Sequence, residues 1–179
     1  MIASHDSATG ERPQGVISYI LTPFARTQSK TVVQQYESGC RYFDIRIRKS
    51  KNGFYACHGY WRCKTSVEMI LQTISTLAEC DKEKVFIMIT YEGECDNEQW
   101  LTQAVFSMMQ GKHLTLTEIN VKKPVWRNIY KAVDAPPYKQ CYKNLDGSSW
   151  HTYLPIPWLW NKIFRFERDN DKFNFLDFI

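Results

Sequence analysis

Three short stretches carry side chains that could do chemistry together: Ser4-His5-Asp6-Ser7, Asp44-Ile45-Arg46 and His58-Gly59. Imidazole titrates near neutral pH, so His5 and His58 can serve as general base and general acid. A carboxylate beside each ring, from Asp6 or Asp44, can fix the tautomer and stabilise an imidazolium. The Arg46 guanidinium offers two parallel donors to a phosphate and can offset charge developing on its oxygens. Such a set suits cleavage of a phosphodiester without a metal. Taken singly, each piece is ordinary. A lone strand-end histidine is usually structural, an Asp-x-Arg strand is usually an ion pair, and His5-Asp6 could be a turn. The combination is much more specific than its parts.

The elements that must position these residues are readable from periodicity. Residues 41–48 alternate as a strand, with Phe43, Ile45 and Ile47 on one face and Tyr42, Asp44, Arg46 and Arg48 on the other. Asn52-Gly53 marks a tight turn, so 54–59 fold back to complete a β-hairpin at residues 41–59. Residues 1–10 read as a strand running into a loop. Residues 15–28 carry Pro23 and read as a loop or a broken helix. A helix follows, capped by Ser29 or Thr31 and ended by Gly39. The clearest helix starts at Thr65, which with Glu68 matches a capping box, and carries Val67, Ile70, Leu71, Ile74 and Leu77 in one stripe. The apolar run 84–93 suits a strand buried on both faces. Another helix is expected between an Asp96 cap and Gly111. Strands are expected at 123–133, 162–168 and 172–179, with a long loop from Asp134 to Trp160. Strands alternating with helices argue for an α/β fold with a mostly parallel sheet, in which functional groups gather at the carboxyl ends of strands. About six candidate barrel strands are present, against the eight of a complete barrel.

The bulk numbers agree with one domain spanning 1–179. Hydrophobic residues are 44% and aromatics 15%, so the chain can bury a core. The net charge of +4 suits an anionic ligand or lipid surface. It is too small to argue for nucleic acid, and no basic run is longer than a pair such as Lys122-Lys123. Six cysteines without a C-x-x-C pair make structural zinc improbable, and reduced thiols are expected. No signal peptide and no membrane-spanning run is present. The chain opens directly on chemistry-bearing residues, as a chain that had lost an upstream segment would.

The stretches "SHDSATG", "TQSKTVVQQYESGCRYFDIRIR" and "CHG" resemble the X-region catalytic domain of phosphatidylinositol-specific phospholipase C, in its bacterial type. The resemblance runs from Met1 to about Glu92 and returns at "NFLDFI". It implies a small distorted or incomplete (β/α) TIM-type barrel. It implies that His5 is the general base for the inositol 2-hydroxyl, paired with Asp177, and that Arg46 clamps the phosphate. His58 would be the general acid to the diacylglycerol oxygen, oriented by Asp44 and assisted by Asp6. The products would be a cyclic inositol phosphate and diacylglycerol. Metal-dependent relatives carry carboxylate ligands for calcium where this chain has Arg46, so no metal and no cofactor is expected. Tyr91 stands where the bacterial enzymes often place an inositol-binding lysine, and Arg127 is the candidate for a second inositol contact.

Two aromatic positions are candidates for a membrane-facing rim, Phe24 and Trp150, because such rings favour the headgroup region. Trp158 and Trp160 read instead as rings packed over the barrel. The expected protein is a monomeric phosphodiesterase, cytoplasmic or peripheral at a membrane surface. Two rivals share its residues: a non-catalytic phosphoinositide-binding module, and a metal-dependent glycerophosphodiester phosphodiesterase. A binding module has no chemical reason to keep both histidines with their carboxylates, and Arg46 at the centre opposes a cation site.

Overall fold

The alternation of Phe43, Ile45 and Ile47 is built into the longest strand, β2 (Cys40–Ser50), which organises the sheet around it. The computed structural model describes residues 1–141 and 168–177. Trp150, Trp158, Trp160 and all but the last residue of the strand expected at 162–168 lie outside them. β2 is flanked by two parallel strands, β1 (Ile2–Ser4) on one side and β5 (Phe86–Glu94) on the other. β6 (Thr115–Lys123) adds parallel to β5, and β7 (Arg127–Lys131) adds antiparallel to β6. Beyond β1 lie β9 (Phe173–Leu176) and β8 (Tyr138–Gln140), both parallel. The order is therefore β7-β6-β5-β2-β1-β9-β8, with β3 (Gly53–His58) and β4 (Trp61–Ser66) branching from the end of β2 as an antiparallel hairpin. Among the described residues β7 and β8 do not pair, so the sheet is a curled half-barrel, mostly parallel with antiparallel strands at β3, β4 and β7. Tyr138 on β8 still reaches across the curl to donate to Glu118 on β6.

The two faces of β2 fill two cores. Phe43, Ile45 and Ile47 pack outward with Ile87, Ile89, Ile119 and Val121 of the neighbouring strands. Against them lie Val32 and Tyr36 of α2 (Val32–Glu37), Ile70, Leu71 and Ile74 of α3 (Val67–Asp81), and Leu101 and Val105 of α4 (Glu98–Met109). Tyr42 points inward and closes the amino end of the curl with Ala3, Met88, Phe173 and Phe175. Its ring meets Phe175 at 4.8 Å and Phe173 at 5.4 Å. The amino end is thus plugged by aromatic rings, and the polar inward residues lie at the carboxyl end.

Several local expectations need correction. Residues 15–25 form a helix, α1 (Gly15–Ala25), with Pro23 inside it, where the ring removes one i→i−4 hydrogen bond and the helix ends two residues later. The helix after β4 is capped by Ser66, not Thr65, since it is Ser66 Oγ that accepts from Met69 N–H. The helix α4 is capped by Asn97, whose side chain accepts from Trp100 N–H, not by Asp96. Thr31 caps α2 in a reciprocal box with Gln34.

Candidate active site

His5 and Asp6 follow β1 directly, and Asp6 adopts a left-handed backbone (φ 48°) that turns the chain into a short 3-10 segment, Ser7–Gly10. Asp tolerates this region because its short polar side chain can bond locally, but it is a strained position. Buried amides hold the turn. Gln28 Nε2 donates to the carbonyls of His5 (2.9 Å) and Leu176 (2.7 Å), tying β1 to β9. Gln35 Nε2 donates to the carbonyls of Ser7 and Lys30, and its Oε1 accepts from Ser4 Oγ. Gly10 lies so close to the Lys30 carbonyl that a Cβ there would sit 1.7 Å from its oxygen.

The ring of His5 is held at both nitrogens. Nδ1 lies 2.7 Å from Asp177 Oδ1, and Arg46 Nη2 donates to Nε2 at 2.6 Å. A guanidinium has no lone pair to give, so Nε2 must be the acceptor and Nδ1 must carry the proton donated to Asp177. His5 is therefore a neutral imidazole in the tautomer a general base needs. Burial pulls it down to about 3.

His58, at the end of β3, donates Nδ1–H to the carbonyl of Ala25 on α1 at 2.7 Å. Its Nε2 then faces Asp6 Oδ2 at 3.4 Å. A neutral ring and a carboxylate would oppose lone pair to lone pair there, so a proton between them is favoured. Asp6 is suited to hold it. Neither of its oxygens accepts a well-aligned hydrogen bond, although Arg46 Nε lies 2.7 Å from Oδ1. Burial pushes Asp6 up to about 6 and pulls His58 down to about 4. Asp6, facing His58, is thus the member of the pair that burial favours in its protonated form.

The expectation that Asp44 orients His58 is not met. Asp44 accepts from the Asp6 main-chain N–H and from Thr90 Oγ1, both at 3.3 Å, and stands 3.8 Å from Arg46 Nε. It fixes the strained Asp6 backbone, while Asp6 is the carboxylate at His58. Arg46 lies at the centre, reaching Asp6, His5 and, through Nη1 at 3.2 Å, Glu92.

Glu92 escapes a reading of the sequence by motif. It is buried at the end of β5, where it accepts from Lys122 Nζ at 3.0 Å and from Gly59 N–H at 2.7 Å as well as from Arg46. Burial would raise its pKa, but Arg46 and Lys122 hold it down to about 2. Alternation could have found it. Asp44 pairs with Met88 and Arg46 with Thr90, so the next residue in phase is Glu92. For the same reason Tyr91 points the other way, into the helical layer, with its ring edge-on to Phe54 at 6.3 Å. Arg127 is also away from the site. It lies on β7, held by Glu98 and by the carbonyl of Cys95. The structure thus brings together His5, Asp6, Asp44, Arg46, His58 and Asp177, and adds Glu92 and Lys122.

Chemically, this is a neutral base oriented by a carboxylate, a protonatable acid pair, and a guanidinium between them. The sequence model of the phosphatidylinositol-specific phospholipase C X domain matches residues 17–125, more than half of the chain. The chain belongs to that family. A 1-phosphatidylinositol phosphodiesterase of Listeria monocytogenes is 31% identical over 87 residues, covering 48% of this chain and 26% of that protein. A PI-PLC X-box domain-containing protein of Dictyostelium discoideum is 33% identical over 70 residues, 39% of this chain and 9% of that one. Among solved structures, the phosphatidylinositol-specific phospholipase C of Listeria superposes with a TM-score of 0.53 at 18% identity, over 78% of this chain and 59% of that one. A variant of the Staphylococcus aureus enzyme gives 0.56 at 16% identity, over 82% and 62%. These structural likenesses carry the incomplete barrel fold. The chain spans at most about a quarter of the length of these two curated relatives.

Proposed function

We propose that residues 1–179 act as a single catalytic domain that cleaves phosphatidylinositol, or a closely related phosphodiester, by attack of the neighbouring 2-hydroxyl on phosphorus. His5 Nε2 takes the hydroxyl proton, and its Nδ1–H bond to Asp177 stabilises the resulting imidazolium. The new bond forms between the 2-oxygen and phosphorus as the bond to the diacylglycerol oxygen breaks. That oxygen receives the proton held between Asp6 and His58. Arg46 turns its Nη groups to the non-bridging oxygens, leaving His5 Nε2 free to act. The products are a cyclic inositol phosphate and diacylglycerol. The observation that carries this reading is the tautomer of His5, fixed by Asp177 on one side and Arg46 on the other.

The guanidinium of Arg46 stands among Asp6, Asp44 and Glu92 and takes the electrostatic role a cation could fill. The reaction is accordingly metal-independent. The test is incubation with phosphatidylinositol vesicles in EDTA, with inositol 1,2-cyclic phosphate and diacylglycerol measured as products. Binding without product would make the domain a phosphoinositide-binding module. Loss of activity in EDTA, restored by calcium, would make it metal-dependent.

The substrate would be met at a lipid surface through α1. Val16, Ile17, Tyr19, Ile20 and Phe24 are each more than half exposed, while polar Ser18 faces inward. Ser18 Oγ accepts from Arg62 N–H, and Thr22 Oγ1 accepts from Trp61 Nε1. The helix is amphipathic the wrong way round for water, and the right way round for a membrane interface. The monomer is the unit we expect there, with Phe24 in the contact.

A further inference from the structure

Beside the first turn of α1 lies an open cleft of about 630 Å³, between the start of that helix, Arg48 and the β3–β4 turn. Its charged lining residues are Arg48 and Arg62, with no carboxylate among the residues that line it. Arg48 is poorly compensated. It reaches Glu92 only at 3.5 Å to the carbonyl and 3.8 Å to the carboxylate, and that carboxylate is already engaged by Arg46, Lys122 and Gly59. The Arg48 Nε is buried without a hydrogen-bond partner. Arg62 has the face of Tyr55 at 4.4 Å and no carboxylate partner among the described residues. The start of α1 adds to this field, since Gln14 supplies no side-chain cap and the first turn holds no acidic residue.

The cleft is continuous with the apolar face of α1: Val16, Ile17 and Tyr60 line it and stand out beside it. No Asp or Glu occurs between Glu11 and Glu37, while Arg12, Arg26 and Lys30 do. We infer that this cleft is a second lipid-phosphate site, taking the headgroup phosphate of an anionic phospholipid that is not the substrate. Its acyl chains would run along α1. Arg46 and Arg48 are two residues apart on one face of β2, roughly 7 Å along the strand. The second phosphate therefore sits one strand step outside the catalytic one, where a neighbouring lipid of the same leaflet would present it.

This inference rests on the seating of α1 on lipid, and not on catalysis. The experiment is vesicle sedimentation of the full chain, with phosphatidylcholine alone and with about 20% phosphatidylserine, whose headgroup has no hydroxyl to attack its phosphorus. Wild type should bind the mixed vesicles more tightly. Arg62→Gln and Arg48→Gln should each lose about fivefold of that gain while keeping the binding to phosphatidylcholine alone. Arg41→Gln, at the far end of β2, controls for net charge and should lose nothing. Equal losses in Arg41→Gln and Arg62→Gln would overturn the site in favour of diffuse attraction, as would full binding in the two cleft variants. Saturable binding of inorganic phosphate at matched ionic strength, abolished by Arg62→Gln with vesicle binding intact, would assign the cleft to a soluble anion instead. If wild type fails to bind either vesicle and Ile17→Ser changes nothing, the seating of α1 is at fault, and this site falls with it.

Discussion

At the scale of single residues, the site works through which atoms carry protons. Asp177 keeps the proton on His5 Nδ1, 2.7 Å away. In Asp177→Asn the amide can donate into Nδ1, which moves the ring proton to Nε2, against the Arg46 guanidinium. The base is then in the wrong tautomer. In a serine-protease triad the same exchange costs about 10⁴-fold. Here Arg46 still holds the ring in place, so a fall in kcat of roughly 10²–10³-fold is expected with the melting temperature little changed. Full activity in Asp177→Asn would remove His5 as the base. The acid pair makes a second expectation. With Asp6 at about 6 and His58 at about 4, the pair is mostly without its proton at pH 7. An anion in the site favours the protonated form of both groups, so ligand binding should take up a proton at pH 7. The uptake should shrink toward pH 5, where Asp6 already holds one. Calorimetry of inositol 1,2-cyclic phosphate binding, in buffers of different ionisation heat, reads this directly. Proton release at pH 7 would contradict the assignment.

At the scale of elements, the two corrected caps give a sharp comparison. Ser66→Ala should cost about 1 kcal/mol in urea unfolding and Thr65→Ala less; likewise Asn97→Ala about 1 kcal/mol and Asp96→Ala close to nothing. Thr65 and Ser66 are chemically equivalent caps one residue apart, and only the pairing of β4 with β3, which runs as far as Ser66, decides where the helix begins. The same limit explains what else could be read. The hairpin turn, the stripe of α3 and the buried run of β5 follow from local patterns, and so do His5, Asp6, Asp44, Arg46 and His58, whereas Asp177 stands out only through the family resemblance. β6 does not, because its inward Glu118 and Asn120 are buried polar groups and a bulge between its pairs with Ile87 and Met88 breaks the alternation. Glu92 and Lys122 were hidden similarly, since their value depends on the register of β5 and β6 with β2. The direction of His58 toward Asp6 rather than Asp44 depends on the left-handed turn at Asp6, which no spacing reveals.

At the scale of the whole molecule, the site and the exposed apolar helix α1 are joined, because the Ala25 carbonyl that holds His58 ends α1. Ile17→Ser combined with Ile20→Ser should therefore lower the rate on vesicles about tenfold or more while leaving cleavage of a soluble inositol phosphodiester near wild type. Equal losses on both substrates would mean that α1 serves packing and not the interface. The parallel pairing of β1 with β9 has a consequence in time as well as in space. It joins His5 to Asp177 across 172 positions. Closing a segment of that length costs about 2 kcal/mol more in chain entropy than closing one of a dozen residues, and β9 has only four residues with which to recover it. β9 should therefore dock late in folding and open early, so that amides of Phe173–Leu176 exchange hydrogen faster than those at the centre of β2. A chain paused just before that event already has its helices and its hairpin, yet the rings of Phe173 and Phe175 are missing from the aromatic plug and its base has no orienting carboxylate. Enzymatic activity should thus return only in the slowest refolding phase, after the far-ultraviolet dichroism has recovered.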